Sequence, residues 1–184
     1  MLSKNINFQN FKKIKKVKKV NKIFENLLKD QPSFFETLKP TYKYSYSKRT
    51  LSKYKKFFNI RIIGMGGSIL GSEAIHDFLN KKIKKKLTFV NNLNNTDDYL
   101  QDKNINLNLI ISKSGNTLET ITNSNTLIKK KDSNIIITEN KESYLTNLAS
   151  QLKAEIFEHK NYVGGRYSVL SEVGMLPAEL MNLN

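Results

Sequence analysis

The densest group of small polar side chains lies in the segment SKSGNTLET, residues 112–120, which we call the hydroxyl loop. Its hydroxyl groups belong to Ser112, Ser114, Thr117 and Thr120. An apolar run precedes the loop and a helical pattern follows it, so the hydroxyls lie where a strand passes into a helix. Free backbone N–H groups at such a point favour an anion. Helix capping uses only one or two hydroxyls. We therefore expect an anion site, with an ordinary Ser/Thr-rich turn as the alternative.

A phosphate that must be released suits this loop. Hydroxyls and amides bind phosphate through hydrogen bonds without the tight charge pairing of several arginines. Lys113 lies among the hydroxyls and adds one positive charge.

The glycine loop, GMGGSILG at residues 64–71, offers a second place for an anion. Glycines such as Gly67 let the backbone approach a ligand closely, and Ser68 lies about where the next helix begins. The loop departs from the dinucleotide fingerprint, because Ile69 stands at the third glycine position and no acidic residue ends the next strand. It also lacks the G-K-[ST] of a P-loop. We expect Gly67 and Ser68 to contribute to ligand binding.

The third segment is YVGGRYSVLSEVG, residues 162–174, which we call the arginine loop. Two glycines precede Arg166 and leave its guanidinium free of neighbouring side chains, so that it could point at a ligand. The chain uses lysine almost everywhere, so an arginine here indicates that geometry matters. A structural arginine that caps a carbonyl is the alternative.

Composition limits the function classes. The chain has 184 residues, of which 39% are hydrophobic and 26% charged, and this favours a globular domain. The absence of cysteine excludes a disulfide scaffold and a thiolate zinc site, and fits the cytoplasm, where we expect the protein. No apolar run reaches a membrane span, and no secretory signal is apparent, so we expect no membrane partner. The net charge of +15 invites a nucleic-acid function. Lysine, isoleucine and asparagine are common everywhere, which favours a solvated basic surface instead.

The alternation of strand-like and helical patterns from Phe57 onward predicts a parallel sheet covered by helices. Ligands of such sheets bind on the loops after the strands, where the polar segments lie. TDDYL, residues 96–100, is predicted as a short helix or turn. We divide the chain into an N-terminal helix and connector, residues 1–56, and an α/β domain, residues 57–184.

The N-terminal region contains an amphipathic helix over residues 11–28, with lysines between its apolar positions. We expect this helix to pack on the main domain. A membrane-surface or partner helix is the alternative. The following residues, to about residue 48, carry two prolines and several tyrosines, and are predicted as a connector with little regular structure.

Together the three loops resemble those of the glucose-6-phosphate isomerase family, and VGGRYSVLSEVGMLPA resembles its signature. The resemblance covers roughly residues 57–180 and implies a sugar isomerase domain, a flavodoxin-like three-layer α/β/α sandwich. It implies that four hydroxyl residues hold the substrate phosphate, with Thr120 as a support and Lys113 beside them. The four are Ser68, Ser112, Ser114 and Thr117. It also implies that Arg166 faces the reacting carbons.

The implied reaction interconverts glucose 6-phosphate and fructose 6-phosphate through a cis-enediol, without a metal or organic cofactor, in a protein that is a homodimer when complete. The family's glutamate base, and a histidine and lysine for ring opening, come from beyond the signature. This sequence ends soon after it, so we expect an N-terminal part of an isomerase that is inactive alone. We interpret His76 and His159 as surface or packing histidines.

Two alternatives remain open at this point. If the base does lie in these residues, the first carboxylates to test are Glu119, Glu172 and Glu179. A non-catalytic sugar-phosphate sensor is the other function class. A sensor needs the phosphate loops but not VGGRYS, so this motif favours the enzyme.

Overall fold

The computed structural model describes residues 17–93 and 107–183. Contacts divide the chain into two units, one up to Pro32 and one from Ser33. The first unit contains helix α1, Lys18–Asp30, whose apolar residues recur every three or four positions. It ends at Gln31, which adopts a left-handed conformation and donates its N–H to the Leu27 carbonyl. The predicted helix is confirmed from Lys18 onward, its start lies outside the described residues, and its packing stays a prediction.

The second unit is built on a parallel sheet of five strands in the order β2-β1-β3-β4-β5. The strands are β1 Asn59–Gly64, β2 Lys86–Val90, β3 Leu107–Ile111, β4 Ser133–Thr138 and β5 Glu155–Glu158. The interior strands β1, β3 and β4 are almost entirely buried, as expected of a parallel sheet covered on both faces. The predicted parallel sheet is therefore confirmed.

Helices cover both faces of this sheet. They are α2 Lys48–Ser52, α3 Leu70–Leu79, α4 Leu118–Leu127, α5 Tyr144–Leu152 and α6 Glu172–Leu180. On one face Ile62 and Leu109 pack with Leu176 and Leu180 of α6. On the other face Ile63, Ile110 and Ile136 pack with Leu127 of α4 and Leu145 of α5. These three layers confirm the predicted α/β/α sandwich. None of the helices in the described ranges is long and apolar enough to cross a membrane.

Some element boundaries differ from the sequence pattern. The helical pattern after the hydroxyl loop runs to residue 130, but α4 ends at Leu127. A turn stops the helix, because the Asp132 carboxylate accepts the Lys129 N–H at 3.0 Å and the Asp132 N–H returns to the Lys129 carbonyl at 2.9 Å. The segment TDDYL lies outside the described residues.

The connector is mostly irregular, as predicted, with a 3-10 helix at Ser33–Leu38 and the short α2. Its middle is anchored to Glu172, a fully buried residue in the first turn of α6. The Glu172 carboxylate accepts the Tyr42 hydroxyl at 2.8 Å and the Ser45 N–H at 2.7 Å. The connector from Ser33 onward therefore packs with the sheet domain.

A buried polar ladder crosses the sheet near the amino ends of its strands. Arg61, Asn108 and Asn134 are aligned in register on β1, β3 and β4. The Arg61 Nη1 donates to the Asn108 Oδ1 at 3.1 Å, and the Asn108 Nδ2 donates to the Asn134 Oδ1 at 2.9 Å. Each residue depends on its neighbours, since an unsatisfied buried polar group is costly. The ladder therefore favours this register of the three interior strands, together with their apolar pattern.

Candidate functional site

The hydroxyl loop begins where β3 ends and closes at the start of α4. The Oγ of Ser112 lies 2.8 Å from the Oγ1 of Thr117, and the Oγ of Ser114 lies 3.5 Å from both. Gly115, with a φ of +70°, makes the turn between them. Thr117 occupies the N-cap position of α4, yet its side chain makes no capping hydrogen bond. Three hydroxyls therefore converge at a helix N-terminus without serving that helix as caps.

Thr120 lies one turn further along α4. Its side chain is buried, and its Oγ1 has no hydrogen-bond partner among the described residues. It is not part of the pocket wall described next. Its supporting role stays a prediction.

A pocket of about 330 Å³ lies in front of the hydroxyls, and we call it the loop pocket. Its lining residues are Ser68, Lys113, Ser114, Thr117, Glu139 and Lys141. They come from the loops after β1, β3 and β4, so the structure unites the glycine and hydroxyl loops at one edge of the sheet. Ser112 contributes indirectly, through its hydrogen bond to Thr117.

The glycine loop also contacts the arginine loop, main chain against main chain. A Cβ atom on Gly67 would overlap the backbone of Gly165. The Ser168 hydroxyl lies 2.6 Å from the Gly165 carbonyl and 3.3 Å from the Gly67 carbonyl, and so links the two loops. The segment that carries Arg166 is therefore held beside Ser68.

The Arg166 side chain is exposed and lies outside the wall of the loop pocket. In the described part of the chain it has no hydrogen-bond or ion-pair partner. No carbonyl in the described ranges is capped by this guanidinium, which weakens the alternative of a structural arginine. Its predicted role toward the reacting carbons stays a prediction.

Glu139, Lys141 and Asn161 belong to the same site, although the sequence pattern did not single them out. The Lys113 Nζ donates to the Asn161 carbonyl at 2.7 Å and lies 3.5 Å from the Glu139 Oε1, while Lys141 pairs with the Glu139 Oε2. The hydrogen bond from Lys141, and the charge of both lysines, hold the pKa of Glu139 below its usual range, although burial opposes this. The position of Glu139 directly after β4 is the signal that could have indicated it.

Neither histidine is part of the wall of the loop pocket. His159 is buried, which lowers its pKa, and its Nδ1 lies 3.2 Å from the Lys160 carbonyl. His76 contacts Asp77 and the ring of Phe89. Both match their interpretation as packing residues. Within the ranges 17–93 and 107–183, no group of three His, Asp or Glu side chains could hold a metal ion.

The model of the family described as phosphoglucose isomerase matches residues 45–182. The chain belongs to this family. It is 37% identical over 142 residues to a glucose-6-phosphate isomerase of Onion yellows phytoplasma, covering 67% of this chain and 33% of that protein. It is 38% identical over 141 residues to one of Methanocaldococcus jannaschii, covering 69% and 34%. The chain thus spans about a third of the length of these curated relatives.

Solved structures support the fold. A hypothetical protein from Thermus thermophilus superposes with a TM-score of 0.71 at 20% identity, over 90% of this chain and 44% of that one. A tagatose-6-phosphate ketose/aldose isomerase from Escherichia coli gives 0.53 at 16% identity, over 83% and 42%. Both share the α/β architecture described above.

The contact between the glycine and arginine loops generates a prediction. Gly67→Ala forces a Cβ into the Gly165 backbone, so we expect the free energy of unfolding to fall by about 1–3 kcal/mol, as in overpacked sites. Gly165→Ala is the matched control, because its Cβ meets only the Gly67 Cα at 4.0 Å. The control should change stability by less than about 0.5 kcal/mol. Urea denaturation measures both, and equal stability of the two variants contradicts the contact.

Proposed function

We propose that the complete protein catalyses the reversible isomerisation of glucose 6-phosphate and fructose 6-phosphate. Family membership and the names of the curated relatives support this reaction. The observation that carries the proposal is the convergence of the Ser112, Ser114 and Thr117 hydroxyls at the start of α4. That group lies beside the switch point of the sheet, where the chain passes to β2 on one side of β1 and to β3 on the other. Ligands of open α/β sheets bind in such crevices.

In this proposal the hydroxyl loop binds the substrate phosphate. The first N–H groups of α4 have no partner within the helix, and the helix dipole adds attraction for an anion. Ser68 and the backbone at Gly67 approach the phosphate from the glycine loop, and Lys113 supplies a positive charge. Thr120 supports the loop from below. The phosphate is thus held by many neutral donors and by lysine charge.

Arg166 acts at the other end of the substrate. Isomerisation moves a proton between C2 and C1, and negative charge develops on the substrate oxygens as the enediol forms. A guanidinium held beside those oxygens stabilises charge that appears only during the reaction, which raises kcat. The packing of the Gly165 and Arg166 main chain against Gly67 supports this role, because it keeps the arginine loop beside the glycine loop.

The general base is proposed to come from another part of the complete protein, which we propose to be a homodimer. The Glu172 carboxylate accepts hydrogen bonds from the connector, and the Glu139 carboxylate forms ion pairs with two lysines. Glu179 lies 3.8 and 3.9 Å from Lys48 and Lys55, away from the loop pocket. Glu119 is not part of the pocket wall. The reaction needs no metal or organic cofactor in this scheme.

A non-catalytic sugar-phosphate sensor is the second candidate. The ion pairs of Glu139 favour it, because Glu139 is the carboxylate in the wall of the loop pocket and is engaged by Lys113 and Lys141. A sensor needs the phosphate site but no group directed at the reacting carbons, which is the role proposed for Arg166. The packing of the Arg166 segment on Gly67 therefore favours the enzyme.

The phosphate site is tested by the double substitution Ser114→Ala, Thr117→Ala. Each lost hydrogen bond to a charged group costs about 1.5–3 kcal/mol, so the dissociation constant for fructose 6-phosphate should rise by at least about tenfold. Isothermal titration calorimetry measures it. Thr126→Ala is the control, because that exposed hydroxyl lies at the far end of α4 and bonds the Thr122 carbonyl. Equal affinity of double variant and wild type places the phosphate elsewhere.

The role of Arg166 requires the complete protein. Arg166→Lys keeps the charge but loses the planar pair of donors. We expect kcat to fall by at least about tenfold, and by more than KM rises, since the lost interaction belongs to the transition state. Steady-state kinetics with fructose 6-phosphate measures both. A raised KM at unchanged kcat makes Arg166 a residue of ground-state binding.

A further inference from the structure

Glu139 is joined to the hydroxyl loop through both its main chain and its side chain. Its N–H donates to the Lys113 carbonyl at 3.1 Å, and its Oε1 lies 3.5 Å from the Lys113 Nζ. Its other oxygen pairs with Lys141, and only 14% of the side chain is exposed. The two lysine partners favour the charged form of this largely buried carboxylate and hold its pKa below the usual range, although burial opposes this.

The ammonium of Lys113 connects three loops of the site. It reaches from the hydroxyl loop to the loop after β4, where it meets Glu139, and to the Asn161 carbonyl at 2.7 Å. Asn161 lies five positions before Arg166. The Lys113 ammonium is therefore held between the hydroxyl loop and the segment that leads to Arg166.

The chemistry of Glu139 excludes a direct role as a phosphate ligand. A carboxylate repels a phosphate dianion, so Glu139 serves an anion only through the lysines that it holds. A free lysine side chain loses rotamer freedom when a ligand orders it, and a lysine that is already held loses less. Holding Lys113 in advance therefore favours binding.

We propose, resting on the proposed function, that Glu139 is a positioning residue for sugar-phosphate binding. Its carboxylate holds the Lys113 ammonium at the wall of the loop pocket, between the hydroxyl loop and the arginine loop. The bound sugar phosphate then meets a cation in place and does not have to order a mobile side chain.

The contact between Glu139 and Lys113 is tested without any ligand, on the 184-residue chain. Limited acetylation with an N-hydroxysuccinimide ester, followed by mass spectrometry of peptides, gives the rate at each lysine. In Glu139→Gln the rate at Lys113 should rise by at least about threefold, the scale of a half-exposed ion pair, while exposed Lys82 keeps its rate. Glu36→Gln is the matched control, because Glu36 forms an ion pair with Lys39, at 2.6 Å, and is not part of the wall of the loop pocket. It should leave Lys113 unchanged. An unchanged rate at Lys113 in Glu139→Gln, with native circular dichroism, overturns the proposal.

The effect on binding is tested with Glu139→Asp, which keeps the charge and shortens the side chain. Positioning predicts that fructose 6-phosphate binds at least about threefold more weakly, and that Lys113 acetylates faster. If Glu139 contributes only its net charge, Glu139→Asp leaves the affinity for fructose 6-phosphate unchanged, and that result overturns the proposal. If the wild-type chain binds no fructose 6-phosphate, the phosphate site proposed at the hydroxyl loop fails and the role of Glu139 in binding fails with it, whereas the isomerisation proposed for the complete protein is tested by its own kinetics. The acetylation rates still decide whether Glu139 holds Lys113.

Discussion

The site depends on the reversal of strand order beside β1. The chain leaves β1 for β2 on one side of the sheet and reaches β3 on the other, so the loops that follow β1 and β3 diverge above the sheet. Those loops carry Gly67 and Ser68 on one side and the three converging hydroxyls on the other. Because the strands are parallel, all their carboxyl ends meet at this edge, and the loop after β4 adds Glu139 and Lys141.

The arginine loop packs main chain against main chain on the glycine loop, because both facing positions are glycines. The contact between Gly67 and Gly165 is possible only without a Cβ at position 67, and the Ser168 hydroxyl bonds both main chains. Buried Glu172 then ties α6, which follows the arginine loop, to the connector. Arg166 thus projects from a segment that is held at both ends, while its own side chain remains exposed.

Local patterns in the sequence predicted much of this. Apolar runs and helical spacing indicated the strands and most of the helices, and the hydroxyl loop stood out because its side chains are neighbours in the chain. What could not be predicted depends on contacts between distant positions. Lys113 and Glu139 are separated by 25 intervening residues, and Tyr42 and Glu172 by far more, so no local pattern reveals either pair. The end of α4 at Leu127 could not be predicted from the helical pattern, because it depends on the Asp132 carboxylate, which accepts the Lys129 N–H.

The central claim is that the substrate phosphate lies at the hydroxyl loop. Titration of the ¹⁵N-labelled chain with fructose 6-phosphate, followed by amide chemical shifts, tests it most directly. We expect the largest shifts in residues 112–120, at the N–H groups that open α4, with a second group at Gly66, Gly67 and Ser68. Saturable shifts concentrated around the lysines near residues 81–86, with the amides of the hydroxyl loop unchanged, would contradict a phosphate site at the hydroxyl loop.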